Sequence, residues 1–185
     1  MPYFDIVEEI DDKRVFLRKI TLNDSEFFYN TLKDKETVKY LSLGPIYIHK
    51  HAKQIIKKQL KAWDEWSQFN YIIELKENKE RVKVGSISLW NISWKHRRSG
   101  IGIWIAREYW NKKIGTEALN LLKIIGFEHL KLHRLEAYVA LNNKRSINLF
   151  KKCDFIEEGV LKEYLFLDGI FHDAVILSCI KKKNE

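Results

Sequence analysis

Between Arg107 and Phe127 the sequence reads REYWNKKIGTEALNLLKIIGF, and its residue types suit the holding of an anion. Ile114, Ala118, Leu121, Leu122 and Ile125 recur at i, i+4, i+7, i+8 and i+11, the apolar stripe of a helix. Gly115 and Thr116 fall in its first turn, where backbone N–H groups have no intrahelical partner. Lys112 and Lys113 stand just ahead of it. Free donors, the positive end of a helix dipole and two ammonium groups together favour a phosphate-bearing ligand.

Such a site needs elements to hold it. GIGIWIA (100–106) reads as a strand feeding the helix, and HRLEAYVAL (133–141) as a strand leaving it. The three make a strand–helix–strand unit whose two strands must be parallel. Upstream, RVFLRKI (14–20) alternates as a strand, and TLNDSEFFYNTLKD offers a polar cap followed by a helical pattern. GPIY turns the chain. HKHAKQIIKKQLKAWDEW (49–66) puts Ala52, Ile55, Ile56, Leu60 and Trp63 on one helical face. FNYIIELK (69–76) and RVKVGSISLWNI (81–92) read as a hairpin about ENKE. Downstream, NNKRSINLFKKC (142–153) reads as a short helix, and two last strands flank Asp168-Gly169, a hairpin signal. The order β α α β β β α β α β β implies an α+β fold, a mostly antiparallel sheet with helices on its faces.

Bulk properties narrow the function classes. A chain of 185 residues, without repeats or Pro/Gly/Ser linkers, is expected to form a single domain over residues 1–185. No apolar run reaches the roughly 18 residues of a membrane helix, and the acidic start MPYFDIVEEIDD has no signal-peptide pattern. Two cysteines, Cys153 and Cys179, lack metal-ligand spacing, so no metal is expected and the setting reads as cytoplasmic. A net charge of +8 favours polyanionic partners, but the lysines are scattered. Lys181–Lys183 reads as a solvated tail, and WKHRR (94–98) is too short a cluster for a nucleic-acid surface.

Four motifs, IGIWIA, YWNKKIGTEAL, NNKRSINLF and EEGVLKEYLFLDGIFHD, occur in this order over residues 96–177. Together they resemble the GCN5-related N-acetyltransferase (GNAT) superfamily, in the branch of RimJ/RimL-type ribosomal-protein and spermidine acetyltransferases. The resemblance implies the GNAT fold, with a central β-α-β unit that binds acetyl-CoA as acetyl donor. The family's Gln/Arg-x-x-Gly-x-Gly/Ala loop aligns with Trp110, Asn111, Lys112, Lys113, Ile114 and Gly115. It implies that N–H groups from Asn111 to Thr116 hold the diphosphate and that Gly115 permits close backbone approach. The pantetheine arm is then expected along Ile103–Ile105, with an N–H near Ile105 polarising the thioester carbonyl. Asn143 and Ser146 match the family's Asn-x-x-Ser and are expected near pantetheine and thiol. Both also suit helix capping. Ser146 is the candidate catalytic residue, facing the leaving thiol.

The sequence departs from the family pattern at four positions. Gly100 stands where many relatives carry Glu, and Phe150 where some carry Tyr. Lys113 and Asp154 each replace a customary glycine. Direct attack by the amine needs a proton acceptor but no acyl-enzyme, so Cys153 is expected to be a packing residue. Glu136, Tyr138, Tyr164 and His172 are unranked candidates for proton transfer. The expected acceptor is a primary amine, a protein N-terminal α-amine first. A polyamine, or a non-catalytic acyl-CoA-binding role, are the alternatives, and a homodimer is compatible with the family. The helices carrying Phe27, Phe28, Tyr29, Trp63 and Trp66 are expected to shape the acceptor groove, with most of these rings in the core. WDEW and FDIVEEIDD could make that groove acidic.

Overall fold

The structure, a computed structural model, describes residues 4–77 and 80–182. Strands β1 (Glu9–Asp12) and β2 (Val15–Lys19) are joined through left-handed Lys13. A 3₁₀ turn (Leu22–Asp24) runs into α1 (Ser25–Leu32), followed by α2 (Lys35–Val38) and α3 (His49–Asp64). Strands β3 (Phe69–Glu77), β4 (Glu80–Ser93) and β5 (Arg98–Ile105) form an antiparallel meander. Helix α4 (Ile114–Ile124) continues into a π turn (Ile125–His129), and β6 (Arg134–Ala140) follows. Helix α5 (Lys144–Lys152) precedes the terminal hairpin of β7 (Ile156–Leu167) and β8 (Ile170–Ile180). Asn78 and Lys79 of the expected ENKE turn, and Lys183 of the tail, lie outside the described residues.

All eight strands form one sheet of order β1-β2-β3-β4-β5-β6-β8-β7. Its two faces bury separate clusters. The stripe read from the sequence, Ile114, Ala118, Leu121, Leu122 and Ile125, packs with Leu17, Ile73, Leu89 and Leu135 on one face. On the other, Phe28 and Leu32 of α1 and Ala52 and Ile56 of α3 enclose Ile20 and Ile72. Central β3 is therefore buried on both sides over Phe69–Leu75, which explains its nearly unbroken apolar run.

The parallel pair β5–β6 matches only Arg98–Gly100 with Arg134–Glu136. Beyond Gly100 the strands part. Ala106 N–H donates to Val84 O at 2.8 Å, which makes Ala106–Val84 a hydrogen-bonded pair. Alternation then turns Trp104, Gly102 and Gly100 toward β4, and turns the peptide groups of Ile101, Ile103 and Ile105 toward the gap. An unpaired strand edge thus lies inside the sheet.

Two elements escape the sequence reading. β1, EIDD, is a four-residue edge strand with mostly exposed side chains, so it has no apolar alternation to betray it. α2 is a single turn, started by the Asp34 carboxylate accepting from Thr37 N–H at 3.0 Å. α1 is tied to the sheet by charge as well as packing. Buried Asp24 accepts from Arg18 at 2.7 and 2.9 Å, from Lys83 at 2.7 Å and from Thr21 N–H at 2.8 Å. Burial opposes the Asp24 charge, but Arg18, Lys83 and Thr21 outweigh it and hold the carboxyl far below its usual range.

A carboxyl with a depressed folded-state pKa contributes stability above its unfolded value, about 3.9. That contribution is lost as pH falls through the folded-state value. Urea melts from pH 7 to pH 3 should show stability dropping below about pH 4, and Asp24→Asn should blunt this slope while costing about 3 kcal/mol at pH 7.

Candidate active site

The loop before α4 takes left-handed backbone at two residues that are not glycine. Asn111 has φ 62° and Lys113 φ 64°, both left-handed, and Lys113 is the N-cap of α4. The N–H groups of Asn111, Lys112 and Lys113 meet no acceptor among the described residues. Ile114 and Gly115 open the helix and have no carbonyl a turn behind them. Thr116 N–H is already used, donating to Lys113 O at 3.0 Å, which leaves its hydroxyl as that residue's remaining donor. Gly115 has a packing role too: a Cβ there would lie 3.2 Å from Leu149 Cδ2 of α5.

Trp110 closes the loop onto the open strand, its indole Nε1 donating to Ile105 O at 2.7 Å. The Arg145 guanidinium lies 3.8 Å from the centre of the Trp110 ring, a cation–π contact that adds positive charge to this end. The sequence reading passed over Arg145 because it is one of the two variable positions inside NNKRS.

Two cavities meet above the gap between β5 and β6. The outer one, about 370 Å³, is lined by Ile103, Ile105, Trp110, Arg145 and Leu149 among others. The inner one, about 240 Å³, is lined by Trp90, Gly102, Tyr138, Phe150 and Tyr164 among others. Tyr40, Leu41, Ile103, Asn143 and Ser146 border both. Ser146 is half-buried at this junction, and its hydroxyl has no partner among the described residues. Asn143 caps α5, its Oδ1 accepting from Ser146 N–H at 3.2 Å. Of the residues expected from the sequence, Ile103, Ile105, Trp110, Asn143 and Ser146 line the outer cavity. Asn111 through Thr116 lie beyond its lining, around the N-terminus of α4.

The proton-transfer candidates separate clearly. Glu136 is buried and accepts from Arg134 Nε at 2.5 Å and Tyr138 Oη at 2.8 Å, with Arg98 3.5 Å away. Burial opposes its charge, but these partners prevail and hold the carboxyl below its usual value. Burial and the Glu136 bond push Tyr138 up to about 12. Glu136 is thus a weak base, and Tyr138 a phenol whose proton is committed to it. Tyr164 stacks on Tyr138 with ring centroids 5.1 Å apart and lines the inner cavity. His172 faces Leu165 in the terminal hairpin and lines neither cavity.

Gly100 has no room for the carboxylate many relatives carry. A Cβ there would sit 2.6 Å from Trp90 Cε2, so the Trp90 indole occupies that space. Trp90 had no sequence signal beyond ordinary strand alternation. Phe150 is buried and lines the inner cavity, and Asp154 takes the left-handed backbone (φ 67°) of the glycine it replaces. Buried Cys153 has its thiol pushed up by burial, as befits a packing residue.

Among the aromatics expected near the groove, Phe28 is buried against Trp104, and Trp63 packs on Phe69 and Tyr71. Phe27 stacks on Trp104, Tyr29 meets His49, and Trp66 meets Phe4. None of these five lines either cavity; residues 40–42 after α2 form the rim instead. Neither WDEW nor FDIVEEIDD reaches a cavity wall. Within the cluster at 94–98, Trp94 stacks on Phe4, Arg97 donates to Lys131 O at 2.7 Å and Arg98 lies 3.5 Å from Glu136. Among the described residues no helix is long and apolar enough to cross a membrane, and no group of three metal-ligating side chains occurs.

A helix N-terminus with free donors thus stands beside a strand edge opened within the sheet, and the groove above them divides at Ser146. The acetyltransferase (GNAT) domain family matches residues 14–156, and the chain belongs to that family as an N-acetyltransferase. YoaA of Bacillus subtilis (strain 168), an uncharacterised N-acetyltransferase, is 29% identical over 95% of this chain and 98% of its own. YdaF of the same organism, provisionally named a ribosomal N-acetyltransferase, is 37% identical over 55% of each chain. The fold matches spermidine N-acetyltransferase from Vibrio cholerae, solved with CoA and spermine, at a TM-score of 0.80 and 22% identity. That match covers 91% of this chain and 96% of the other.

The Trp90–Gly100 contact predicts a specific failure of the family-like substitution. Gly100→Glu should destabilise the protein by about 2 kcal/mol through overpacking. Adding Trp90→Ala should recover most of that loss in thermal or urea melts.

Proposed function

We propose that the protein acetylates the α-amine at a protein N-terminus, in the manner of RimJ/RimL-type enzymes, with acetyl-CoA as donor. One observation carries this reading: the inner cavity has aromatic, hydroxyl and aliphatic walls and no carboxylate among its lining. Its nearest buried acid, Glu136, is held ionised by two arginines and a phenol. A site without a strong base favours an acceptor that sheds its own proton. An α-amine, with a pKa of about 7.7–8.0, is partly neutral at physiological pH, whereas an alkyl amine near 10.4 is not. A polyamine would also find no acidic partner in that cavity. The provisional ribosomal name of YdaF agrees with this choice, while the spermidine enzymes among the relatives keep the polyamine as its competitor.

Acetyl-CoA supplies the activated acetyl thioester. The free N–H groups of Asn111–Gly115 and the ammonium groups of Lys112 and Lys113 suit its diphosphate. The unpaired N–H and carbonyl of Ile103 and the N–H of Ile105 suit the amides of its pantetheine arm. The family resemblance implies carbonyl polarisation by the N–H near Ile105. Ile105, however, lines only the outer cavity, and its carbonyl is taken by Trp110. Ile103 borders both cavities, which argues for its N–H as the donor that meets developing negative charge. Ser146 at the same junction can donate its hydroxyl to the departing sulfur. Cys153 and Cys179 are both buried free thiols, compatible with a cytoplasmic setting.

Thermal unfolding with acetyl-CoA at about 100 times its dissociation constant should show about 2.7 kcal/mol of stabilisation, and ATP should give none. CoA release should then be faster with peptides bearing free N-termini than with spermidine. Its kcat/KM should rise with pH and level off near pH 8, following the acceptor's own titration. Preferred turnover of spermidine, or a plateau already reached near pH 6, would overturn the choice of acceptor.

A further inference from the structure

Arg14, at the turn leading into β2, touches the loop before α4 at two points. Its Nη2 donates to Lys112 O at 3.0 Å, and its Nε donates to Glu117 Oε2 at 3.0 Å, with Nη2 also on Glu117 Oε1. One contact lies before Lys113 and the other in the first turn of α4, so the guanidinium brackets the left-handed residue. A non-glycine residue in that region is strained and persists only where its surroundings hold it. The Lys112 carbonyl and the Lys113 N–H belong to one planar trans peptide and point in opposite directions. Pinning the carbonyl toward Arg14 therefore fixes where the Lys113 N–H points, and that group has no acceptor among the described residues.

We infer that Arg14 is a positioning residue for the anion-binding loop, holding the Lys112–Lys113 peptide so that its N–H faces the ligand. The inference rests on the reading that this loop holds the diphosphate of acetyl-CoA. Arg14 also pairs the one carboxylate in the first turn of α4, Glu117, which otherwise places negative charge beside an anion site. Orientation and charge pairing are separable, because they act through different residues.

Calorimetric titration with acetyl-CoA, on variants whose folding is checked by circular dichroism, tests the inference. Arg14→Ala should weaken acetyl-CoA binding about tenfold, the size of one left-handed residue's conformational cost. The kcat at saturating acetyl-CoA should stay unchanged while the KM for acetyl-CoA rises. Arg14→Lys, which keeps the charge but not the forked geometry, should resemble Ala. In a Lys113→Gly background, where the left-handed backbone costs little, the same Arg14→Ala change should cost less than about twofold. An Arg14→Ala variant that binds like wild type overturns the inference and leaves the diphosphate reading standing. A loss that persists beside Lys113→Gly but vanishes beside Glu117→Gln also overturns it, since Arg14 then acts only by charge. Absence of binding by the wild-type protein removes both.

Discussion

The three-residue pairing of β5 with β6 is the contact on which the rest of the site depends. Parallel strands need a long crossover, and α4 supplies it. Because pairing stops at Gly100, the peptide groups of Ile101, Ile103 and Ile105 face a gap in the middle of the sheet. Backbone donors and acceptors away from bulk water need partners. Here the gap leaves them to Trp110, which takes the Ile105 carbonyl, and to whatever extended ligand enters. An outer edge would offer the same groups to any other chain. Set between β5 and β6 and bordered by Asn143 and Ser146, the gap admits a narrow ligand instead.

Strain at the site is held by cations placed in the same way twice. Lys113 and Asp154 both take left-handed backbone without being glycine. Arg14 spans the first, binding Lys112 O and Glu117. Lys123 spans the second, donating to Cys153 O at 2.8 Å and to Asp154 Oδ2 at 3.0 Å. In each case a side chain from another element anchors the carbonyl just before the strained residue. Where glycine would adopt the turn freely, the larger residues keep it through hydrogen bonds from outside the loop.

Hydrogen bonding also decides what chemistry the acceptor side can do. Glu136 looks like a base in sequence, yet its oxygens are claimed by Arg134 and Tyr138, with Arg98 close by. Arg134 extends the network to Glu158, which accepts from Ser178 Oγ at 2.5 Å. This network fixes the Tyr138 ring, against which Tyr164 stacks, and Trp90 completes the aromatic wall where Gly100 leaves space. The result is a well-ordered, weakly basic cavity. It can orient an amine more readily than it can deprotonate one.

The sequence by itself determined the elements whose side chains face one way at a regular period. The stripe of α4, the alternation of β2 and β6, the apolar run of β3 and the Asp168-Gly169 turn all follow from local pattern, and so does the parallel β-α-β unit. The roles of the Trp110–Gly115 loop and of Asn143 and Ser146 came from the resemblance to GNAT motifs, while the fold sets Trp110, Asn143 and Ser146 on the wall of the outer cavity. Local pattern could not give β1, four residues of which only Ile10 is half-buried, nor the roles of Trp90, Arg145 and Arg14. Those roles depend on contacts between distant segments, such as Arg14 with Lys112, 98 positions apart. Tertiary structure alone decided that Glu136 is spent and that Gly100 cannot be filled. A side chain's acidity and available space are set by neighbours that only the folded sheet brings together.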